Sequence, residues 1–346
     1  MLGARKIAIL GGNKFKDDWS LAFDGSDDYI ALPDPFNNAN HTISSWINQT
    51  ANAGNKTIFD NRDGNNDGIL LYSAATEKIE YQLLDSDVVT SAAVDVGVWK
   101  HVVATYDGTT QSLYIDGILA ASATVSKTVA VTTNAVIGGK SWETGNNFLG
   151  NISEVAIYDA GMTASQVRTL YNSREPYNHK EGIASANLKG WWRMGDGALD
   201  SFNLIGDEVN PTIGPELVTN GSIGDGTGWT ASNFAFSGGV ATTSTNGATL
   251  QQALSFTSGD IIKITAEIKN YSSGSCRWYT GAGADVSRSF NSDGVHTHYL
   301  AGNNTKVLFY SDNFNGSIDN VSVKKVNGNS GAMFNMDAVD FEGDTP

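Results

Sequence analysis

The sequence predicts an all-β chain built as two tandem antiparallel sandwiches, with one short helix after the first. Three observations lead there. Apolar and polar residues alternate over many short runs, the period-two pattern of half-buried strands. The runs are punctuated by turn formers: the 346 residues include 38 Gly and 6 Pro, with Asn, Ser and Thr abundant. Third, residues 99–117 read as a hairpin. Val103 and Thr105, then Leu113 and Ile115, alternate with their neighbours, a polar turn joins the two runs, and Asp116-Gly117 makes the exit turn.

Taken in order, residues 1–17 are a short apolar and basic lead, expected to dock elsewhere because it is too small to bury a core. Residues 18–173 form the first sandwich, with early strands at 21–25, 29–32, 42–47, 68–73 and 78–83. The helix is predicted over 164–172, where Thr163 caps it, Gln166 completes a capping box, and Val167, Leu170 and Tyr171 share a face. Residues 174–213 are a connector, within which the stretch around Trp191-Trp192 reads as an aromatic strand packed on the first sandwich. Adjacent strand residues face opposite ways, so those two indoles enter different environments. A second strand-rich block covers 214–326, with clear alternation over 261–268 and 306–310, and a tail, 327–346, follows.

The formal net charge of −15 opposes phosphate backbones and excludes nucleic acid as a natural partner. Cys276 is the one cysteine, so no intrachain disulfide forms, and it is expected as a small buried side chain. No apolar run is long enough to span a bilayer, and Ile7–Leu10 after Arg5 and Lys6 is short for a signal-peptide core. The expectation is a chain made and kept soluble in a cytoplasm. The Asn-x-Ser/Thr triplets at Asn40, Asn151 and Asn320 are then compositional.

Several ordered motifs resemble the laminin-G-like, concanavalin-A-like jelly rolls. Phe23-Asp24-Gly25-Ser26-Asp27-Asp28-Tyr29-Ile30 is similar to their opening strand, the 99–117 hairpin to their central one, and residues 150–159 to their closing strand. In the second block, residues 216–223, Gly228-Trp229-Thr230 and residues 314–323 resemble the paired end strands of carbohydrate-binding-module jelly rolls. Residues 188–197, around Trp191-Trp192-Arg193-Met194-Gly195-Asp196-Gly197, and the tail motif Met333-Phe334-Asn335-Met336-Asp337 resemble structural proteins of tailed bacteriophages. The second jelly roll then reads as an insertion between lead and tail.

Catalytic patterns are missing from the sequence. Glycosidases on such sandwiches need carboxylates at alternate positions of one strand face, whereas Glu77 and Glu80 fall on opposite faces, and Glu154 and Asp159 are out of phase. No nucleophile elbow, zinc-protease motif or phosphate loop occurs. His296 and His298 share a strand face but have no further His or Cys beside them. Two calcium placements stand as expectations, each against a plain turn. One is Asp63, Asn65 and Asp67, which match the start of a calcium loop whose twelfth position is Ala74 instead of Glu. The other, implied by the second resemblance, is Asp319 with Asn220 or Asp225. Candidate sugar-stacking aromatics are Trp229, Trp278 and Tyr279, with Arg277 and Asn233 beside them, and Trp142; the alternative for each is a place in the core.

The sequence thus leads first to a non-enzymatic virion structural protein: a capsid decoration protein, head fibre or tail fibre contacting other virion proteins and copies of itself. The alternative is a glycan-binding adhesin or host-recognition module at a cell surface. A polysaccharide-degrading enzyme is the third reading. Terminal segments 1–16 and 328–346 are expected to dock onto neighbouring subunits.

Overall fold

The computed structural model describes residues 15–32, 39–50, 54–62, 68–84, 87–125, 135–139, 146–182, 185–200, 204–209, 212–257, 260–280, 288–301, 305–336 and 338–346. They form antiparallel sheets and, among the described residues, one α-helix, Ala164–Tyr171.

Two facing sheets make the first sandwich. One runs in the order Ile118–Thr124, Thr110–Ile115, Lys100–Tyr106, His41–Gln49, Leu149–Tyr158, Ser20–Asp24 and Phe341–Glu342. Leu188–Trp192 shares the outer edge of Leu149–Tyr158 with Ser20–Asp24. The other sheet runs Leu204–Ile205, Gly331–Phe334, Tyr29–Ala31, Val136–Ile137, Lys56–Asp60, Ile69–Ser73, Lys78–Leu83 and Asp87–Ala93. Phe23, Ile30, Phe59, Leu71, Tyr81, Val102, Ala104, Leu113 and Phe148 fill the space between.

The 99–117 hairpin forms with Val103 opposite Tyr114 and Ala104 opposite Leu113. Its first strand is buried on both faces, which a simple inside-outside alternation does not describe. Val102 and Ala104 enter the main core, while Val103 faces a second, smaller core under Met162, Val167, Leu170 and Trp191. The helix covers that outer face. Its Thr163 hydroxyl accepts from Gln166 N–H, the Gln166 side chain reaches back to Thr163 N–H, and Asn172 ends it in a left-handed conformation.

Two boundary expectations are corrected by strand pairing. The connector carries Leu188–Trp192 in one sheet and Leu204–Ile205 in the other, so it is part of the first sandwich. Trp192 enters the main core and Trp191 the smaller one, as the alternation requires. The tail docks within its own chain. Gly331–Phe334 pairs with Tyr29–Ala31, Phe341–Glu342 pairs with Ser20 and Leu21, and Met333 and Met336 lie in the main core. Ala332, Met333 and Met336 are therefore already buried in cis, while Val339 stays 77% exposed. Asp207 ties lead to tail: its carboxylate accepts from Trp191 N–H at 3.0 Å and Asn329 N–H at 3.0 Å. Trp192 Nε1 donates to Asn329 O at 2.8 Å.

The second sandwich is built around two long strands, Ile261–Tyr279 and Lys306–Asn327, that bend and serve both layers. The bend sits where the register slips between Lys269 and Ser273, and Asn270 and Asn313 take left-handed φ values there. Gly274, at φ +72°, is required at that corner, because a Cβ would lie 2.0 Å from Asn313 O. Ile264, Ile268, Trp278, Phe290, Phe309 and Phe314 lie in its core. The two sandwiches meet through Leu204, Ile261, Tyr299, Val326 and Ala332.

Candidate functional site

The stacking candidates part company in the structure. Trp278 is 0% exposed, packed against Phe290 at 4.3 Å and Phe309 at 5.3 Å between ring centroids. Trp229 is 8% exposed and donates from Nε1 to Asn220 O at 3.0 Å. Both are core residues, which corrects the expectation that they present faces to a sugar. Trp142 lies outside the described residues. Tyr279 is half-buried and stands at a surface.

That surface follows from register. Thr230 pairs with Gln251, Gln251 with Leu308, and Leu308 with Tyr279; the next row is Ser232, Thr249, Tyr310 and Arg277. Directly paired antiparallel residues share a face. Their neighbours Leu250, Phe309, Trp278 and Cys276 point into the core, so these two rows point out. The outcome is an open sheet face carrying two half-buried tyrosines whose rings lie 6.4 Å apart at 88°. Arg277 is ion-paired to Asp312 and hydrogen-bonded to Tyr279. Those two contacts hold its guanidinium beside the rings and raise its pKa. Lys306 Nζ donates to Gln251 Oε1 at 3.2 Å on the same face. One residue beyond Ser232, an open cleft of about 470 Å³ begins, lined by Asn233, Thr242, Ser244, Thr245 and Asn315 among others. Tyr310 is the residue that sequence reasoning missed. Its signal was available: it alternates with Phe309 in the 306–310 run and lies in phase with Lys306 and Leu308.

The proposed metal ligands of the second sandwich are engaged by other protein groups. Asp319 Oδ2 accepts from Lys269 Nζ at 2.8 Å, so an ammonium stands where a cation would bind, and Asp319 Oδ1 accepts from Asn320 N–H. Asn220 and Asp225 brace their own loop, with Asn220 Nδ2 3.3 Å from Asp225 Oδ1 and Thr227 N–H on that same oxygen. Asp63, Asn65 and Asp67 lie outside the described residues. Asp24, Asp27 and Asp28 do cluster, but Asp24 accepts from Ser26 N–H and Asp28 from Asp24 N–H, the bracing of a turn. Burial pushes the Asp28 carboxyl up to about 6.

A marked electrostatic perturbation lies elsewhere. Between Ser153 and Ala156 the strand register slips, and Glu154 adopts φ +50° and is fully buried. Burial drives its carboxyl well above the usual range, while Arg193 Nε at 2.9 Å and Trp191 Nε1 at 2.5 Å hold it. Asp17 hydrogen-bonds to it and is raised to about 7, again mainly by burial. Phe15 stacks on Trp191 at 5.7 Å and Arg193 lies over Phe15. Two acids share this site, and the charge of Asp17 raises the Glu154 pKa further. Here they are covered by Phe15, Trp191 and Arg193 and serve as a clasp on the segment entering the first strand. His296 stands over Phe290 at 4.8 Å, and His298 lies 5.2 Å from the same ring, so both pack on aromatic rings.

A family described as the concanavalin A-like lectin/glucanases superfamily matches residues 24–168. No curated protein matches the chain. Among solved structures, a putative carbohydrate binding protein from Bacteroides ovatus is 17% identical, with TM-score 0.44; the match covers 56% of this chain and 56% of that one. The chain thus spans little more than half the length of that protein. An SAP-like pentraxin from Limulus polyphemus is 18% identical over 45% of this chain and 82% of that chain, with TM-score 0.38. A CBM40 of the Ruminococcus gnavus IT-sialidase, bound to α2,3-sialyllactose, is 15% identical over 44% of this chain and 96% of that chain, with TM-score 0.38. The fold is all-β, and the family match falls on residues 24–168 of the first sandwich.

Proposed function

We propose that the chain is a non-catalytic glycan-binding protein, and that its binding surface is the open face of the second jelly roll around Tyr279 and Tyr310. The observation that carries this reading is the pair of half-buried tyrosines beside an oriented Arg277–Asp312 ion pair. A pyranose offers an apolar C–H face and a rim of hydroxyls. Tyrosine rings accept the first, and the guanidinium, carboxylate and amide of Arg277, Asp312 and Gln251 fit the second.

A glycan array probed with the wild type and with Tyr279→Ala and Tyr310→Ala tests it. The wild type should bind a restricted set of glycans, and each variant should lose roughly tenfold or more. A wild type that binds nothing, or variants that bind as well as it does, would sink the reading.

The virion role is kept as a companion reading. It rests on the resemblance of the 188–197 lead and the 333–337 tail to phage structural proteins, and what favours it is that lead and tail are joined through Asp207 and Asn329. A first sandwich closed by its own tail would hold the second jelly roll as a displayed cassette. Purified particles lacking this chain by mass spectrometry would rule it out.

A further inference from the structure

The clasp at Glu154 carries more negative charge than its cations cancel. Glu154 sits in the register slip of its strand at φ +50°, and its carboxylate is 0% exposed. Arg193 pairs with one of its oxygens at 2.9 Å, and Trp191 Nε1 donates to the other. Asp17 brings a second carboxyl to the same place, hydrogen-bonded to Glu154 and accepting from the Ser153 hydroxyl at 3.2 Å. An ionised carboxylate only accepts, so a hydrogen bond between two carboxyl groups requires a proton on one of them. Two ionised acids against one guanidinium would also bury a net charge beneath Phe15 and Trp191, which costs more than keeping the proton. The remaining charged groups around the clasp supply no second cation. Asp196 adds a negative charge beside Asp17. Lys16 lies 3.6 Å from Asp18, both exposed, and Lys180, over the Trp191 ring, is taken by Glu208 at 3.1 Å. His179, 5.3 Å from Trp191, is held neutral by burial, as is His101 beyond it. Across the first strand, Glu342 accepts from Asn151 Nδ2 and Asp344 from Asn48 Nδ2 and Trp99 Nε1.

We propose that the clasp is a proton-operated latch: closing the lead, residues 15–19, onto Glu154 takes up one proton, and losing that proton lets the lead go. The holds on the lead converge on this site. Phe15 stacks on Trp191 at 5.7 Å, Arg193 donates to Lys16 O, and Asp17 reaches Glu154. The Asp196 carboxylate accepts from Asp18 N–H at 2.8 Å and Trp19 N–H at 2.9 Å. Strand pairing starts only at Ser20, so the lead can leave without unzipping the sheet. Glu154 keeps Arg193 in both states and needs no proton once Asp17 has gone. The sign follows from Asp17. Burial raises its carboxyl to about 7 in the closed clasp, and in a released lead it returns to its ordinary 3.8. The closed form is therefore favoured most in acid, loses ground as pH rises between those two values, and has no proton left to draw on above the higher one. One proton gives a shift of about tenfold per pH unit across that interval. Opening also uncovers the Trp191 indole, which belongs to the smaller core with Val103 and Leu170. The latch thus couples the entry of the chain to the outer face of the first sandwich.

Amide exchange read by mass spectrometry on the full chain, from about pH 4.5 to about pH 8.5, tests the latch. The helix Ala164–Tyr171 is the internal reference that removes the pH dependence of the exchange chemistry itself. Relative to it, exchange at residues 16–19 should rise about tenfold per pH unit between about 5 and about 7 and level off above. Asp17→Asn keeps a donor to Glu154 without needing a proton, and should flatten the profile. Glu154→Gln leaves one acid for one guanidinium, and should flatten it too. The wild-type profile decides the matter alone if either variant fails to fold. Relative exchange of the lead that stays constant with pH, or falls as pH rises, overturns the proposal. So does a slope that persists in both folded variants, or one shared equally by Leu21–Phe23, which would place the opening in the sheet instead of the lead. None of these outcomes bears on whether Tyr279 and Tyr310 bind sugar.

Discussion

Trp278 and Tyr279 are adjacent in sequence and have opposite fates. One anchors the core of the second sandwich and the other stands on its surface. The difference decides what each substitution does. Trp278→Ala should cost about 3–5 kcal/mol of stability by leaving a buried void, measured by denaturant unfolding. Tyr310→Ala and Tyr279→Ala should change stability far less and act on binding. A second residue-scale prediction concerns His101. It is buried, with Nε2 on the Ser44 hydroxyl at 2.8 Å, and desolvation pushes its pKa down to about 3. The unfolded chain takes up that proton below about 6.5 and the folded one does not, so its contribution is present above that pH and lost as pH falls toward 3. Asp17, Asp28 and Asp200, raised to between about 6 and about 7, act in the opposite sense over the same range. A comparison with His101→Gln isolates the histidine. Between about pH 7.5 and about pH 4.5 the wild type should lose roughly 2–3 kcal/mol more than the variant. Parallel stability curves would contradict this. Aromatic identity was legible in the sequence, but which aromatic faces out was not. Strand phase at 276–279 is set by pairing with 308–311, more than twenty-five residues away along the chain.

The helix is where local sequence sufficed. Its capping box and its buried residues Val167 and Leu170 are as residues 163–171 predict, because a helix's contacts are set within a few residues. Thr163→Ala should lower stability by about 1 kcal/mol in thermal unfolding. The strand at 149–158 is the contrary case. A period-two pattern cannot announce the slip at Ser153–Ala156, yet that slip turns Glu154 into the buried partner of Arg193 and Asp17. Asp207 was equally silent, being one acid in a segment that reads as linker. Its carboxylate serves the main-chain N–H groups of Trp191, Val209 and Asn329. Asp207→Ala strands buried donors, each worth about 1–3 kcal/mol, and should raise amide exchange in both the lead and the tail. Loss confined to one of them would show that Asp207 does not join the two.

At the scale of the molecule, the chain enters the first sandwich, leaves it for the second and returns. Both jelly rolls are visible in the order of strands, whereas the return is not, since a twenty-residue tail rich in polar residues gives no periodic signal of the sheet it completes. Thr212 and Asn327 are paired across the junction, so the inserted block begins and ends at neighbouring points. Replacing 214–326 by a short turn should therefore leave a folded first sandwich. Truncation after Val326 removes Met333 and Met336 from the main core and should destabilise it by about 3 kcal/mol or more. If the truncated chain melts with the full one, the tail is not part of the first sandwich's structure. The central claim, however, is the binding face of the second. Isothermal titration of one array-positive glycan into wild type, Tyr279→Ala, Tyr310→Ala and Trp142→Ala tests it most directly. Affinity lost in both tyrosine variants and kept in Trp142→Ala is the predicted result. Affinity kept in both tyrosine variants and lost in Trp142→Ala would contradict it and move the site to the first jelly roll.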